Sequence, residues 1–342
     1  MGASNEHGRY SRQVLFAGIG PAGQQRLAES RVTIVGCGAL GSAQANALVR
    51  AGVGFLRLVD RDFVEESNLQ RQMLFDEADA REALPKAVAA ERTLREINST
   101  VRVEGVVADL APANAEELLT DCNLFLDGTD NFETRVLLND VAVKNNRPWV
   151  YGAVVGSYGV TMAIVPGQTA CLTCLLEAHP PEGLEDTCDT VGVINAAVNW
   201  VAALQVSQAL QLLVGSWSVE QARLVRGDLW RNQFHASPAP RPRPDCRTCA
   251  AREFVHLAGQ ARPHITLCGR NSVQIHERSR RLDLELLSRR LAAHGDVRSN
   301  AYLLRLRVPP YELTLFADGR AIISGTTDPA TARSLYARYV GV

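Results

Sequence analysis

The chain has 342 residues, 46% of them hydrophobic, with 36 basic and 37 acidic side chains and a formal net charge of −1. That length holds two domains, or one large domain with an appendage. The composition is too apolar and too balanced for a disordered chain. The near-neutral charge argues against a general nucleic-acid binder, which needs a basic surface for phosphates.

The opening residues, MGASNEHGRY, lack the apolar run of a secretory signal. Gly2 invites myristoylation, but Glu6 stands where that motif has Ser or Thr. The uncharged stretch Thr190–Val219 carries Asn195, Asn199, Gln205, Gln208 and Gln211, which are costly in lipid. It is expected as a helix buried in a domain or dimer core, not a membrane span. A cytoplasmic, reducing setting follows, and the eight cysteines are expected as thiols, not disulfides.

Residues 1–29 are expected to form an N-terminal arm and helix. Arg31–Val35 is a β-branched apolar run that predicts a strand. Gly36-Cys-Gly-Ala-Leu-Gly41 breaks it, Ser42–Ala51 predicts a helix, and Phe55–Val59 a second strand ending at Asp60. This β-α-β unit implies a parallel sheet with crossover helices. Further helices are predicted over Lys86–Ile97, Ala113–Leu119 and Thr134–Asn145. Strands are predicted over Val101–Val107, Leu124–Leu126, Pro148–Tyr151 and Gly159–Val165. A long apolar helix spans about Val191–Val214, and Ala236–Pro244 is a proline-rich connector. Beyond it, Leu282–Ala293 predicts a helix. Ala301–Val308, Tyr311–Phe316 and Ala321–Ser324 predict strands, with Asp318-Gly319 as a hairpin signal. Asp328 and Pro329 open a final helix as N-cap and first residue. The expected organisation is a Rossmann-like α/β domain over 30–250 and a linker with a small α+β module over 251–342.

Gly36, Gly38, Ala39 and Gly41 follow a strand and open a helix. Missing side chains there let backbone approach phosphates, and the helix N-terminus offers N–H groups. Asp60 at the next strand end suits ribose hydroxyls. Alone, this pattern fits any nucleotide, including a nicotinamide or flavin cofactor. Asp62, Ser67, Asn68, Arg71, Lys86, Asp130 and Asn131 narrow it. Arg and Lys neutralise the β and γ charges of a triphosphate, and a carboxylate such as Asp130 holds Mg²⁺. A dehydrogenase has no use for these cations. Cys171-x-x-Cys174 and Cys246-x-x-Cys249 suit one structural tetrahedral zinc site. A redox-active C-x-x-C is the alternative.

Arg9-Tyr-Ser-Arg-Gln13, the glycine motif, Ser67–Gln72, Thr129-Asp-Asn131 and the two C-x-x-C pairs occur in this order. Together they resemble the ThiF/MoeB/HesA superfamily of ubiquitin-activating-type adenylyltransferases, over about residues 8–250. Ala39 departs from the pattern, standing where many members have glycine. The resemblance implies a Rossmann-like, mostly parallel sheet and a homodimer. It implies ATP-dependent adenylation of a β-grasp, ubiquitin-like carrier protein ending in Gly-Gly. Asp60 would hold ribose; Asn68, Arg71 and Lys86 the phosphates; Asp130 Mg²⁺; and Arg12 would reach the γ-phosphate from the partner subunit. Cys188 resembles a cysteine that some members use in a thioester, persulfide or acyl-disulfide step, although Glu185, Asp186 and Asp189 should raise its pKa. The sulfur donor would be a cysteine desulfurase or rhodanese, in molybdopterin, thiamine or related pathways. The tail lacks a rhodanese-type cysteine loop. A peptide or conjugated modifier as acceptor, and a catalytically silent subunit, remain the alternatives. Neither nucleic acid nor membrane is an expected partner.

Overall fold

The computed structural model describes residues 8–176, 191–259, 265–267, 271–276, 281–317 and 319–341. They form two compact units, one ending at 259 and one beginning at 265.

The first unit begins with two helices, α1 (Ser11–Val14) and α2 (Gly20–Glu29). The β-α-β unit follows as β1 (Arg31–Val35), α3 (Ala39–Ala51) and β2 (Phe55–Asp60). Next come α4 (Glu77–Arg81), α5 (Lys86–Ile97), β3 (Arg102–Val107), α6 (Ala115–Leu119), β4 (Leu124–Asp127) and α7 (Phe132–Lys144). The unit closes with β5 (Trp149–Val155), β6 (Tyr158–Ile164), α8 (Leu172–Leu175), α9 (Asn195–Val214), β7 (Arg223–Asp228) and β8 (Gln233–Pro238). The sheet runs β3-β2-β1-β4-β5-β6-β7-β8. Pairings from β3 to β5 are parallel, and those from β5 to β8 antiparallel.

The chain therefore builds outward from β1 to β3, then returns across β1 to β4. The loops after β1 and β4 leave in opposite directions, which opens a crevice at their C-terminal ends. Apolar runs make this possible. On β4, Leu124 and Leu126 join one buried cluster with Ile34, Leu56 and Leu94, while Phe125 joins the other with Leu138 and Trp149. A strand covered on both faces needs an unbroken apolar run, not alternation.

Helix α3 starts at Ala39, three residues earlier than expected, so the glycine loop is tight. Ala39 is helical and absent from the positive-φ residues, so its methyl group is accommodated. Gly52 (φ +83°) ends α3, and a side chain there would strike the Tyr10 ring at 2.5 Å. Helix α9 is the one described helix long and apolar enough to cross a membrane. Its Ala197, Val201, Ala202 and Ala209 are buried in the unit's core. The connector expected at 236–244 begins later, because Gln233–Pro238 pairs with β7 as an edge strand. Every residue of β8 is exposed, so it shows no apolar alternation. Pro238 is tolerated at its end, where a missing N–H costs no inner pairing.

The second unit contains β9 (Ile265–Leu267), β10 (Ser272–His276), α10 (Leu284–Leu291), β11 (Asp296–Ser299), β12 (Leu303–Val308), β13 (Tyr311–Phe316), β14 (Arg320–Ser324) and α11 (Pro329–Val340). Its sheet, β11-β12-β13-β14-β10-β9, is antiparallel in every pairing. Leu287, Leu291, Ala332, Tyr336 and Tyr339 of the helices share a core with Leu304, Leu306, Leu313, Leu315 and Ile323. Asp328 caps α11, accepting from the Ala330 and Thr331 N–H groups, with Pro329 at the first position.

Gly41 is held by packing. A methyl group there would sit on the Gly36 carbonyl oxygen, inside contact distance. Gly41→Ala should cost at least about 3 kcal/mol, the upper range for overpacking a rigid site. Thermal unfolding should show a large drop; an unchanged midpoint would contradict this packing.

Candidate functional site

Four glycines frame the crevice, and they do two different jobs. Gly36 (φ +86°) would place a side chain 2.6 Å from the Gly128 carbonyl oxygen. Gly128 would place one 2.5 Å from the Gly36 oxygen, and Gly41 is fixed as described. These three press the β1 and β4 loops together, with Gly36 N–H donating to Val59 O and Gly128 N–H to Val35 O, each at 2.8 Å. Gly38 is different. Its φ is negative, at −77°, and the nearest atom to an added methyl is Gln72 Nε2 at 3.8 Å. No protein contact requires glycine there, so the space fits a ligand. Gly38 also precedes α3 without a capping side chain. The first N–H groups of the helix thus have no side-chain acceptor, which suits phosphate.

Asp60 ends β2 beside this loop. Its Oδ2 accepts the Cys37 N–H at 2.6 Å and its Oδ1 the Asp62 N–H at 2.7 Å. Burial raises its pKa, while Lys86 pulls it back. The carboxylate that the sequence assigned to ribose thus also holds the glycine loop in shape. Lys86 is 3% exposed, and its Nζ lies 3.3 Å from Asp62 Oδ2. The chain achieves this by pairing Phe63 with Pro85, with Lys86 N–H donating to Asp62 O at 2.9 Å. Arg61 pairs with Asp109 at 2.9 Å. Burial opposes its charge, but Asp109, Asp62, Asp130 and Asp60 together hold its pKa above the usual value. Cations and carboxylates thus alternate around the crevice.

Asn68 is buried, and its Oδ1 accepts the Glu65 N–H at 3.1 Å, closing a 3₁₀ turn over Glu66–Asn68. It is a scaffold for that turn before it is anything else. Ser67 is exposed at the turn, and its carbonyl accepts from Arg71 Nη1 at 2.8 Å. Gln72 is buried, and its Oε1 has no hydrogen-bond partner. Its position opposite Gly38 makes it a site residue that motif reading quoted but did not assign.

Beyond β4, Asp127 is buried. It accepts from the Thr129 N–H and hydroxyl and from Arg135 Nε at 3.0 Å. Arg135 Nη2 also donates to Thr129 O at 2.7 Å. Asn131 caps α7, accepting the Thr134 N–H at 2.8 Å. Asp130 lies between these anchors with its side chain exposed. A single exposed carboxylate suits Mg²⁺, which takes one or two carboxylates plus substrate phosphates.

Two expected residues are not joined to the crevice. Cys188 and the loop around it lie outside the described residues. Arg12 is exposed on α1, flanked by Tyr10 and Gln13. Tyr10 touches Gly52, and Gln13 Nε2 donates to Ala51 O at 2.8 Å. Both contacts mark the C-terminal end of α3, about 20 Å along that helix from the glycine loop.

Elsewhere in this unit, the Sγ atoms of Cys171, Cys174, Cys246 and Cys249 all lie within 4.8 Å of one another. Cys171–Cys174 is 3.7 Å, Cys171–Cys246 3.6 Å and Cys174–Cys249 3.4 Å. A tetrahedral metal with bonds of about 2.3 Å spaces its sulfurs about 3.8 Å apart, so the set fits zinc. The Arg243 N–H donates to Cys174 Sγ at 3.4 Å. Thr173 and Thr248, one in each pair's loop, hydrogen-bond at 2.9 Å.

The glycine analysis separates folding from binding. Gly38→Ala should unfold at the wild-type temperature yet bind Mg·ATP at least tenfold more weakly by calorimetry. A variant with unchanged nucleotide affinity would remove Gly38 from the phosphate site.

A match to the ThiF family covers residues 10–248. The sulfur carrier protein ThiS adenylyltransferase of Bacillus subtilis (strain 168) is 48% identical over 339 residues, 98% of this chain and 99% of that protein. The SAMP-activating enzyme E1 of Haloferax volcanii is 37% identical over 241 residues, 70% of this chain and 88% of that one. A crystal structure of E. coli MccB with MccA-N7isoASN gives a TM-score of 0.63 at 22% identity, over 72% of this chain and 76% of that chain. That likeness is one of fold. With the glycine-joined crevice and its buried lysine, these matches establish that the chain belongs to the ThiF family and is an adenylyltransferase.

Proposed function

We propose that this enzyme adenylates the C-terminal Gly-Gly carboxylate of a ubiquitin-like sulfur carrier of the ThiS or MoaD type. The observation that carries the reading is Lys86, a buried ammonium paired with Asp62 and near enough to Asp60 to pull its pKa down, beside a glycine loop whose Gly38 has open space where a side chain would stand. A carboxylate oxygen of the carrier bonds to the α-phosphorus of ATP. The bond from that phosphorus to the bridging oxygen breaks, and pyrophosphate leaves. The nucleophile is already ionised at neutral pH, so no general base is needed. The task is alignment and charge neutralisation.

In this reading the glycine loop and the α3 N-terminus cradle phosphate. Lys86 and Arg71 neutralise the leaving group. Asp60 orders the loop and meets the ribose, with Asp62 setting the Lys86 position. Ser67, Asn68 and Asn131 build the walls, and Asp130 holds Mg²⁺. The four thiolates would hold a structural Zn²⁺, which supplies a staple between segments about 75 residues apart in sequence and leaves no open position for chemistry. Reduced thiols fit a cytoplasmic setting. The near full-length likeness to the B. subtilis enzyme supports a carrier over a short peptide as acceptor. The pathway would be thiamine, molybdopterin or a related sulfur transfer, with a cysteine desulfurase or rhodanese as donor and Cys188 as the thiol for any later covalent step.

The placement of Arg12 supports a homodimer. Within one chain it sits at the wrong end of α3, so it can meet a γ-phosphate only from a partner subunit. Leu15 and Phe16 beside it are 74% and 66% exposed, as a dimer contact would require.

ATP–pyrophosphate exchange with a Gly-Gly carrier tests the reading. Lys86→Ala and Asp130→Ala should each lower exchange by about 10²–10³-fold, the usual loss for one charge-stabilising group, with folding intact by circular dichroism. Mixing Arg12→Ala with Lys86→Ala protein should restore part of the activity, because one hybrid site is then intact. Normal exchange by either single variant would overturn the site assignment; no recovery on mixing would overturn action in trans.

A further inference from the structure

The two centres of the first unit are joined by one helix. Along α7, Asn131, Arg135 and Asn139 recur every four residues and so share one face. The first two bracket Asp130: Arg135 holds the Thr129 carbonyl before it, and Asn131 caps the helix after it. The third faces the cysteines. Asn139 is fully buried; its Oδ1 accepts the Leu172 N–H at 2.7 Å, and its Nδ2 donates to Thr173 Oγ1 at 3.2 Å. Leu172 and Thr173 are the two residues between Cys171 and Cys174. Thr173 passes the contact on to Thr248, between Cys246 and Cys249. One side-chain amide thus grips the first cysteine loop directly and reaches the second through Thr173.

The neighbouring Asp140 adds a second tie. Its Oδ2 accepts the His256 and Leu257 N–H groups at 2.9 and 3.2 Å, fixing the chain just after Cys249. Between the two ends of the stripe, Val136, Leu137 and Leu138 are buried. A packed helix of about two turns, roughly 12 Å from Asn131 to Asn139, transmits a shift instead of absorbing it.

We propose that Asn139 is a positioning residue that couples the four-thiol cluster to the Asp130 loop, so that metal retention and Mg·ATP binding support each other. This rests on the reading of the cluster as a zinc site and of Asp130 as a Mg·ATP ligand. Coupling between two binding events is reciprocal: if the metal steadies the Asp130 loop, nucleotide at that loop must steady the metal.

The test uses the full-length, zinc-loaded protein and follows zinc release to a chromogenic chelator with and without Mg·ATP. In the wild type, Mg·ATP should slow release about fivefold or more, the lower range for coupled sites. Asn139→Ala should release zinc faster, lose the protection by Mg·ATP, and raise the KM for Mg·ATP more than it lowers kcat in pyrophosphate exchange. Asn139→Asp keeps the acceptor for the Leu172 N–H but not the donor to Thr173. It should fold where the alanine variant does not, and retain part of the protection. Wild-type release that ignores bound Mg·ATP would overturn the coupling while leaving both sites standing. Full protection in Asn139→Asp and in Asn139→Ala would overturn the role of Asn139. Purified protein that carries no zinc, or binds no Mg·ATP, would instead overturn the reading beneath, and the coupling with it.

Discussion

The site depends on a backbone contact: Gly36 and Gly128 press their peptide groups together between β1 and β4, where the strand order reverses. Each would drive a side chain into the other's carbonyl, at 2.6 and 2.5 Å. Only residues without a β-carbon let the two loops approach so closely. That approach sets the floor of the crevice and brings the Asp130 loop beside the glycine loop that opens α3. The remaining polar groups are arranged on this frame. Asp60 fixes the loop backbone, Asp62 fixes Lys86, and Asp127 with Arg135 fixes Thr129.

Burial gives these charges their value. Lys86 and Arg135 are withdrawn from water and paired with carboxylates, so the site neither reorganises much nor loses its field to solvent. Such pairs are not chosen for stability, since a buried ion pair can cost more to desolvate than it returns. What the pairing supplies is orientation: both cations are held in place by their carboxylates. Asp130, by contrast, is exposed, and in the proposed reading it can adjust to a metal-bound nucleotide.

Much of the central sheet was legible because β1, β2 and β4 are buried on both faces and therefore read as short apolar runs. The β7–β8 hairpin was not, since β8 lies exposed at the sheet edge and its residues carry no pattern. The cysteine pairs were legible from spacing alone, and the structure brings their sulfurs together. For Asp60 and Asn68 the sequence suggested nucleotide contacts, but it did not reveal that both side chains shape the backbone. Arg12 shows the limit most clearly. Its motif suggested a phosphate contact, yet only the packing of Tyr10 on Gly52 and Gln13 on Ala51 puts it a helix length from the glycine loop. The contacts of Asn139 were invisible for a similar reason, since its partners at 172 and 173 come from a separate chain segment.

The central claim is that the gap over Gly38 aligns the α-phosphate of ATP for attack by a carrier's terminal carboxylate. The most direct measurement incubates the enzyme, Mg²⁺ and a Gly-Gly carrier with ATP labelled at either the α- or the γ-phosphate. The account predicts that label from the α-phosphate appears on the carrier, that label from the γ-phosphate leaves as pyrophosphate, and that removing the last glycine abolishes transfer. Label from the γ-phosphate on the carrier, or no transfer from the α-phosphate to any carrier despite tight ATP binding, would contradict it.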